Sequence, residues 1–405
     1  MLYELLYPLR HNAHWLGGLN VLRYVPFRAI AATITAMLMS FLMSPWFIRE
    51  LQRKQIGQVV REDEAEHHQA KRGTPTMGGA LVILCLLVPT ILWADPHNVF
   101  VWATAAVTAG YGVIGYLDDY LKIHQRSSAG LAGRYKLIGQ LLVGGAALAY
   151  VFMPRAGLPA DWLAIRTQLS VPFLAFSKHQ IFLPTWIYVP FALVTVVGMS
   201  NGVNLTDGAD GLAIGPVIIN AGTYLIIAYL TGLTFNGMAL ARYLNVAPEV
   251  RQALSHPDVT FSVAHYLDIP AISSASELTI YCGAMIGAGI GFLWFNAFPA
   301  SVFMGDVGAL ALGGGLGMCA VLTKCELLSL IIGGIFVVQA GSSFLQTTYF
   351  KATRRFTGEG RRLFLRAPFH HHLEKLGWPE TKIVVRFWII TILLALVSIA
   401  QLKLR

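Results

Sequence analysis

The sequence predicts an all-α integral membrane protein with ten transmembrane helices, and three observations predict it. Of 405 residues, 55% are hydrophobic and only 13% charged, too apolar a balance for a soluble domain. Apolar runs that approach or exceed the roughly 18 to 20 residues needed to cross about 30 Å of hydrocarbon recur from one end of the chain to the other. The basic residues sit in the loops beside these runs rather than along one polar face. One polytopic domain over residues 1–405 is therefore expected. The net charge of +9 fits topology signals and anionic ligands, and nucleic acid is not an expected partner. Cys85, Cys282, Cys319 and Cys325 lie in or beside apolar runs without metal-ligand spacing, so they read as small core hydrophobes.

Windows of about 19 residues place helices at 26–48, 77–94, 98–117, 136–153, 187–202, 211–231, 278–295, 307–322, 326–350 and 383–402. The N-terminal stretch lacks the basic start, apolar centre and cleavage site of a removable signal, so the first helix is expected to do the targeting. After the first span come Arg53, Lys54, Arg61, Lys71 and Arg72; after the third, Lys122, Arg126, Arg134 and Lys136; after the ninth, Lys351, Arg354, Arg355, Arg361, Arg362, Arg366 and Lys375. With ten spans these loops share one side, which the excess of Lys and Arg makes cytoplasmic, and both termini are periplasmic. The same parity puts "NGVNLTDGADG" and "FNAFPASVFMGD" on the cytoplasmic face. The outward loops near 154–186 and 232–277 receive no chemistry, although "VPFLAF" is a candidate short strand or helix. Gly283, Gly287 and Gly291 in the seventh span, and Gly313 to Gly315 and Gly317 in the eighth, let helices approach closely.

The motifs gather on that face. "VIGYLDDYLK" ends the third span with Asp118 and Asp119 at the helix C-terminus, where the dipole disfavours each carboxylate by about 0.3 to 1 kcal/mol. Either the pair is solvated at the interface, or its position serves a divalent cation. Adjacent helical residues point about 100° apart, so the two need not share one job. "NLTDGADGLAIG" opens the sixth span. Asp207 and Asp210 are N-caps there, or they join Asn204, Gly208 and Gly211 in a cradle for a flat polar ring. Ala209 and Ile218 occupy positions that exclude a calcium EF-hand.

"WFNAFPASVFMGD" sets Asn296, Phe303 and Asp306 in one short loop. Asp306 is an N-cap or the third ligand of a metal at Asp118 and Asp119, and Phe303 stacks on a base or anchors the loop. In "APFHHHLEKLGWPE", consecutive histidines on a helix cannot all face one ion. Beside Arg366 and Lys375 they suit a phosphate-rich ligand, or form a solvated basic loop. "KRGTPTMGG" opens the second span, with Lys71 as a point charge for a polyphosphate, and it is not a Walker A loop. Carboxylates for Mg²⁺, cationic donors, and an aromatic with amide partners are the equipment of phosphoryl transfer at a membrane surface.

These five stretches, in this order and spread over nearly the whole chain, resemble the phospho-N-acetylmuramoyl-pentapeptide-transferase family. The resemblance implies a ten-helix homodimer in the bacterial inner (cytoplasmic) membrane, with its active site on the cytoplasmic face. It implies transfer of phospho-MurNAc-pentapeptide from UDP-MurNAc-pentapeptide to undecaprenyl phosphate, releasing UMP and forming lipid I for peptidoglycan, with Mg²⁺ as cofactor. On this chain it implies Asp118, Asp119 and Asp306 as the catalytic and metal-binding trio, with Asp306 the direct Mg²⁺ ligand. It implies Lys71, Thr76, Asn204, Leu205, Asp207, Gly208, Asp210, Asn296 and Phe303 as substrate-binding residues. Lys136, His370, His371 and His372 become further catalytic groups around the phosphates.

A sister transferase that moves GlcNAc-1-phosphate to the same lipid is the alternative, since it would share the acidic motifs. A nucleotide-sugar transporter would need a polar route through spans that are nearly free of charge. Two departures from the family pattern are Gln339, which stands where many relatives have Glu, and outward loops longer than usual.

Overall fold

The computed structural model describes residues 1–11, 14–54, 74–125, 130–154, 157–237, 249, 252 and 260–403. Its long helices are α1 (Val25–Arg53), α2 (Gly79–Trp93), α3 (Val99–His124), α4 (Gly133–Phe152), α5 (Thr185–Thr206), α6 (Ile214–Gly232), α7 (Leu278–Asn296), α8 (Gly305–Leu322) and α9 (Gly334–Thr357). The short α10 (Phe369–Lys375) and the long α11 (Glu380–Ala400) complete the series. A helix thus lies over each of the ten expected segments. Among the described residues, eight helices are long and apolar enough to cross a membrane; α2 is apolar but only 15 residues long, and the 24-residue α9 is not among the eight. Two small antiparallel hairpins accompany the bundle, β1 (Gln168–Leu169) with β2 (Ile181–Phe182) and β3 (Thr234–Asn236) with β4 (Thr260–Ser262).

Glycine sets the packing. In α8 every residue from Val307 to Leu322 is buried, so this helix sits at the centre of the bundle. A centre surrounded by protein does not need lipid-facing bulk, which is why a glycine-rich span can be the most enclosed of the candidate membrane helices. A Cβ on Gly313 would stand 2.6 Å from Ser200 Cα, and one on Gly317 2.7 Å from Val196 Cα, so α8 and α5 meet almost backbone to backbone. The Gly283, Gly287 and Gly291 stripe of α7 faces Ala29, Thr33 and Ser40 of α1 in the same way.

Three boundaries differ from the expectation, each for a physical reason. The third helix does not stop at residue 117 but runs to His124, because charges end a hydropathy window without breaking a helix. Asp118 and Asp119 therefore lie more than a turn inside α3, and Lys122 supplies a cation to its last turn. The ninth segment is interrupted at Gly333, between a short helix Ser329–Ile332 and α9, and α9 then continues to Thr357. The sixth helix begins at Ile214, so Asp207 and Asp210 are not its N-caps; Asp207 is the C-cap residue of α5.

At the end of the bundle away from the acidic residues, Arg28 grips Glu277 with two hydrogen bonds of 2.8 and 2.6 Å. Nearby loops are tied by Lys324 and Glu326, both fully buried, with the Tyr188 hydroxyl between them.

Candidate active site

Four segments meet at one end of the bundle, and the contact that organises them is between α3 and α8. Gly115 lies so close to the start of α8 that a Cβ would overlap the Asp306 main chain and stand 2.6 Å from Val307 Cα. One turn further along α3, Asp118 and Asp119 reach Asp306. Carboxylate oxygens of all three lie within 4.8 Å of one another.

Each carboxylate has its own partners. Asp118, 1% exposed, accepts the Leu131 N–H at 2.7 Å. Asp119, 4% exposed, accepts the Val307 N–H at 3.3 Å and so caps the start of α8. A charge that is unfavourable near the end of its own helix is favourable at the N-terminus of the next, which answers the dipole cost noted in the sequence. Asp306 accepts from Lys136 Nζ at 2.6 Å and from Lys122 Nζ at 3.2 Å. Lys122 also reaches Asp118 at 2.5 Å and Asp119 at 3.4 Å, and Lys136 reaches Asp118 at 3.2 Å. Two ammoniums thus stand among three carboxylates. Lys122 is a site residue that the sequence reading counted only as a topology charge. Its spacing of three and four from the aspartates, which puts all three on one helical face, was the available signal.

The trio suits a hard divalent cation. Its donors are all carboxylate oxygens, the set Mg²⁺ prefers, and the clustering brings them within reach of one ion. Gly305 helps to form this wall, with φ +71 and no room for a side chain, because a Cβ would stand 2.5 Å from Asp119 Oδ2 and 3.0 Å from Thr76 Oγ1. Thr76 is thereby beside the acidic group. Its segment pairs with that of Phe303, Phe303 N–H to Pro75 O and Gly78 N–H to Phe303 O, both 2.8 Å. Lys71 lies outside the described residues.

The loop after α5 forms the next wall. Asn204 and Leu205 are in the last turn of α5. Burial, then the charges of Asp306 and Asp119, push the Asp207 carboxyl up to about 8. Asp210 Oδ2 accepts the Ala300 N–H at 3.0 Å, and Asp210 N–H donates to Glu380 Oε1 at 2.8 Å. Asn296 Oδ1 accepts from Gly211 N–H at 3.1 Å while its Nδ2 donates to Val302 O at 2.9 Å. Asp210 and Asn296 therefore join this loop to the α7–α8 loop. Gly208 faces His370, and a Cβ there would overlap His370 Nε2.

The three histidines take different partners, although the His370 and His371 rings lie with centroids 4.1 Å apart. His370 is buried against Gln339 of α9. His371 Nδ1 is 2.8 Å from Glu374 Oε2. His372 Nδ1 accepts the Leu365 N–H at 3.2 Å among Phe364 and Phe369.

Helices that bring three carboxylates and two lysines together at one end of an apolar bundle suit a membrane transferase of phosphorylated groups. Residues 101–324, more than half of the chain, match Glycosyl transferase family 4, and the chain belongs to that family. Its similarity to individual members is closer still. It is 62% identical over 405 residues to the phospho-N-acetylmuramoyl-pentapeptide-transferase of Sorangium cellulosum (strain So ce56), with 100% of both chains covered. The proteins of the same name from Geobacter sp. (strain M21) and Anaeromyxobacter sp. (strain Fw109-5) are 45% and 47% identical, again over 100% of each chain. The chain thus falls among the phospho-N-acetylmuramoyl-pentapeptide-transferases.

Proposed function

We propose that this protein transfers phospho-MurNAc-pentapeptide from UDP-MurNAc-pentapeptide to undecaprenyl phosphate, releasing UMP and forming lipid I for peptidoglycan synthesis. The observation that carries the reading is the trio of buried Asp118 and Asp119 with half-buried Asp306, with Lys122 and Lys136 among it, beside the loops of Thr76, Asp207 and Gly208. Full-length identity to proteins of that name supports the substrate pair. The protein works in the bacterial inner membrane as a ten-span homodimer, with the acidic end cytoplasmic and both termini periplasmic; the Lys and Arg of the loops at that end support this orientation.

Two anions, a diphosphate and a lipid phosphate, must meet, and their repulsion is the first barrier. Asp306, with Asp118 and Asp119 beside it, would hold Mg²⁺, which would neutralise charge on the diphosphate. Lys122 and Lys136 swing from the carboxylates to the phosphates as cationic donors. The second pKa of a phosphate monoester is about 6, so the acceptor is largely ionised at pH 7 and needs little help from a base. Asp118 orients it or takes its last proton, and one in-line displacement completes the transfer. Lys71, Asn204, Leu205, Asp207, Asp210, Asn296 and Phe303 build the nucleotide and sugar site, the buried pair Asp210 and Asn296 by holding its loops together. His370, His371 and His372 bring imidazoles to the same end of the bundle for the phosphates.

The test is UMP release by purified protein given UDP-MurNAc-pentapeptide, with or without undecaprenyl phosphate, and with Mg²⁺ or EDTA. Release that needs both lipid and metal and is lost in Asp306→Asn is expected. Turnover of UDP-GlcNAc in place of the pentapeptide donor would overturn the substrate assignment. Label from the β-phosphate trapped on the protein without lipid would overturn the single displacement.

A further inference from the structure

We infer that Gln339 is a positioning residue for His370, holding the ring as the Nδ1–H tautomer so that Nε2 is the nitrogen presented to the Gly208 loop. The functional meaning of this rests on the transferase reading above; the tautomer itself does not.

Gln339 is 0% exposed on α9. Its Oε1 accepts the His370 main-chain N–H at 3.3 Å and lies 3.1 Å from His370 Nδ1. A carboxamide oxygen has no proton to give, so Nδ1 must carry one. The main-chain N–H fixes which end of the amide faces the histidine, because the reversed amide would set two donors against each other. Gln339 Nε2 is buried without a hydrogen-bond partner. An unmatched buried donor is costly, and an apolar side chain of similar size would avoid it. The polar residue is explained by what its oxygen does to His370.

On the far side of the ring, Gly208 leaves just enough room for Nε2. With Nδ1 occupied in both the neutral and the charged ring, His370 can gain or lose a proton only at Nε2. The other titratable groups around it are His371, with ring centroids 4.1 Å apart, and Glu374 on its own helix. Asp207 and Asp210 flank Gly208 on the loop after α5, and Glu380 of α11 holds the Asp210 N–H. Gln339, the partner from α9, is neutral. It therefore orients the imidazole without drawing it toward imidazolium, whereas a glutamate would accept the same two N–H groups and add a charge that favours the protonated ring.

The experiment uses full-length protein in detergent with Mg²⁺, comparing wild type, Gln339→Glu and Gln339→Met. Long-range ¹H–¹⁵N spectra of histidine-labelled protein, with His370 assigned by its loss in His370→Gln, read the tautomer. Wild type is expected to show the Nδ1–H form and Gln339→Met to lose it. In Gln339→Met, kcat should fall by about 10- to 100-fold with KM for the nucleotide donor within about threefold. Gln339→Glu should keep the tautomer and move the acid limb of the kcat profile up by about one pH unit. An Nε2–H tautomer in wild type, or a Gln339→Met enzyme with unchanged kcat, would overturn the assignment. If Gln339→Met does not fold, the wild-type spectrum and the Gln339→Glu profile decide alone. Absence of UMP release from every variant would instead defeat the transferase reading, leaving the tautomer measurement to stand or fall separately.

Discussion

Replacing Gly115 by alanine adds one methyl group where α3 touches α8. That methyl would stand 2.6 Å from Val307 Cα and closer still to the Asp306 carbonyl group, whereas ordinary contact begins at 3.4 Å. The obstacle is backbone on both sides, so no side-chain rotation relieves it. The helices must part by about 1.2 Å at the point where Asp118 and Asp119 meet Asp306. A displacement of about 1 Å in a reacting constellation costs on the order of 100-fold in rate. We therefore expect Gly115→Ala to reach the membrane and purify as folded protein while its kcat for UMP release falls by about 100-fold. The matched control is Gly145→Ala on α4, where nothing lies within 4 Å of the added methyl and the helix gains about 1 kcal/mol of propensity. Activity of Gly115→Ala within threefold of wild type would refute the claim that this glycine contact sets the spacing of the acidic trio.

Arg28→Met should lower stability by about 3 to 5 kcal/mol, because it leaves Glu277 buried without its cation, and the double change with Glu277→Leu should recover most of the loss; unfolding in detergent reads both. Metal-free protein should lose stability as pH rises from about 4 to about 8, because the folded state keeps the Asp207 proton that the unfolded chain releases. The slope of Tm against pH across that window should flatten in Asp207→Asn. Gly305→Ala should strain a backbone at φ +71 and press on Asp119 Oδ2, weakening Mg²⁺ binding measured by calorimetry as well as activity.

Most of the fold is legible in the sequence because hydropathy is a property of local composition. Helices lie over the expected apolar runs, and among the described residues eight of them are long and apolar enough to cross a membrane. The ends of helices were less legible, since a window stops at Asp118 while the helix, indifferent to charge, continues to His124. The break at Gly333 was invisible for the opposite reason, a kink inside an unbroken apolar run. At the site, the acidic trio could be named from residue types. Its second role, Asp119 as acceptor for Val307 N–H, depends on an α3–α8 contact that no local pattern encodes. Lys122 is not singled out by sequence, because a cation beside a membrane span already has a topological explanation. Asp210 and Asn296 look like ligands in sequence, yet their hydrogen bonds go to the protein's own loops, a distinction only the folded chain makes.

The double duty of Asp119 affects how variants of this protein will be sorted. Its carboxylate closes the first turn of the central helix with one oxygen while facing the other carboxylates. A survey scored by cellular abundance will rank Asp119 substitutions as folding defects, and one scored by growth will rank the same substitutions as catalytic. Neither score alone separates the two. The informative comparison is Asp119→Asn, which retains an acceptor for Val307 N–H while giving up the charge, against Asp119→Ala, which gives up both.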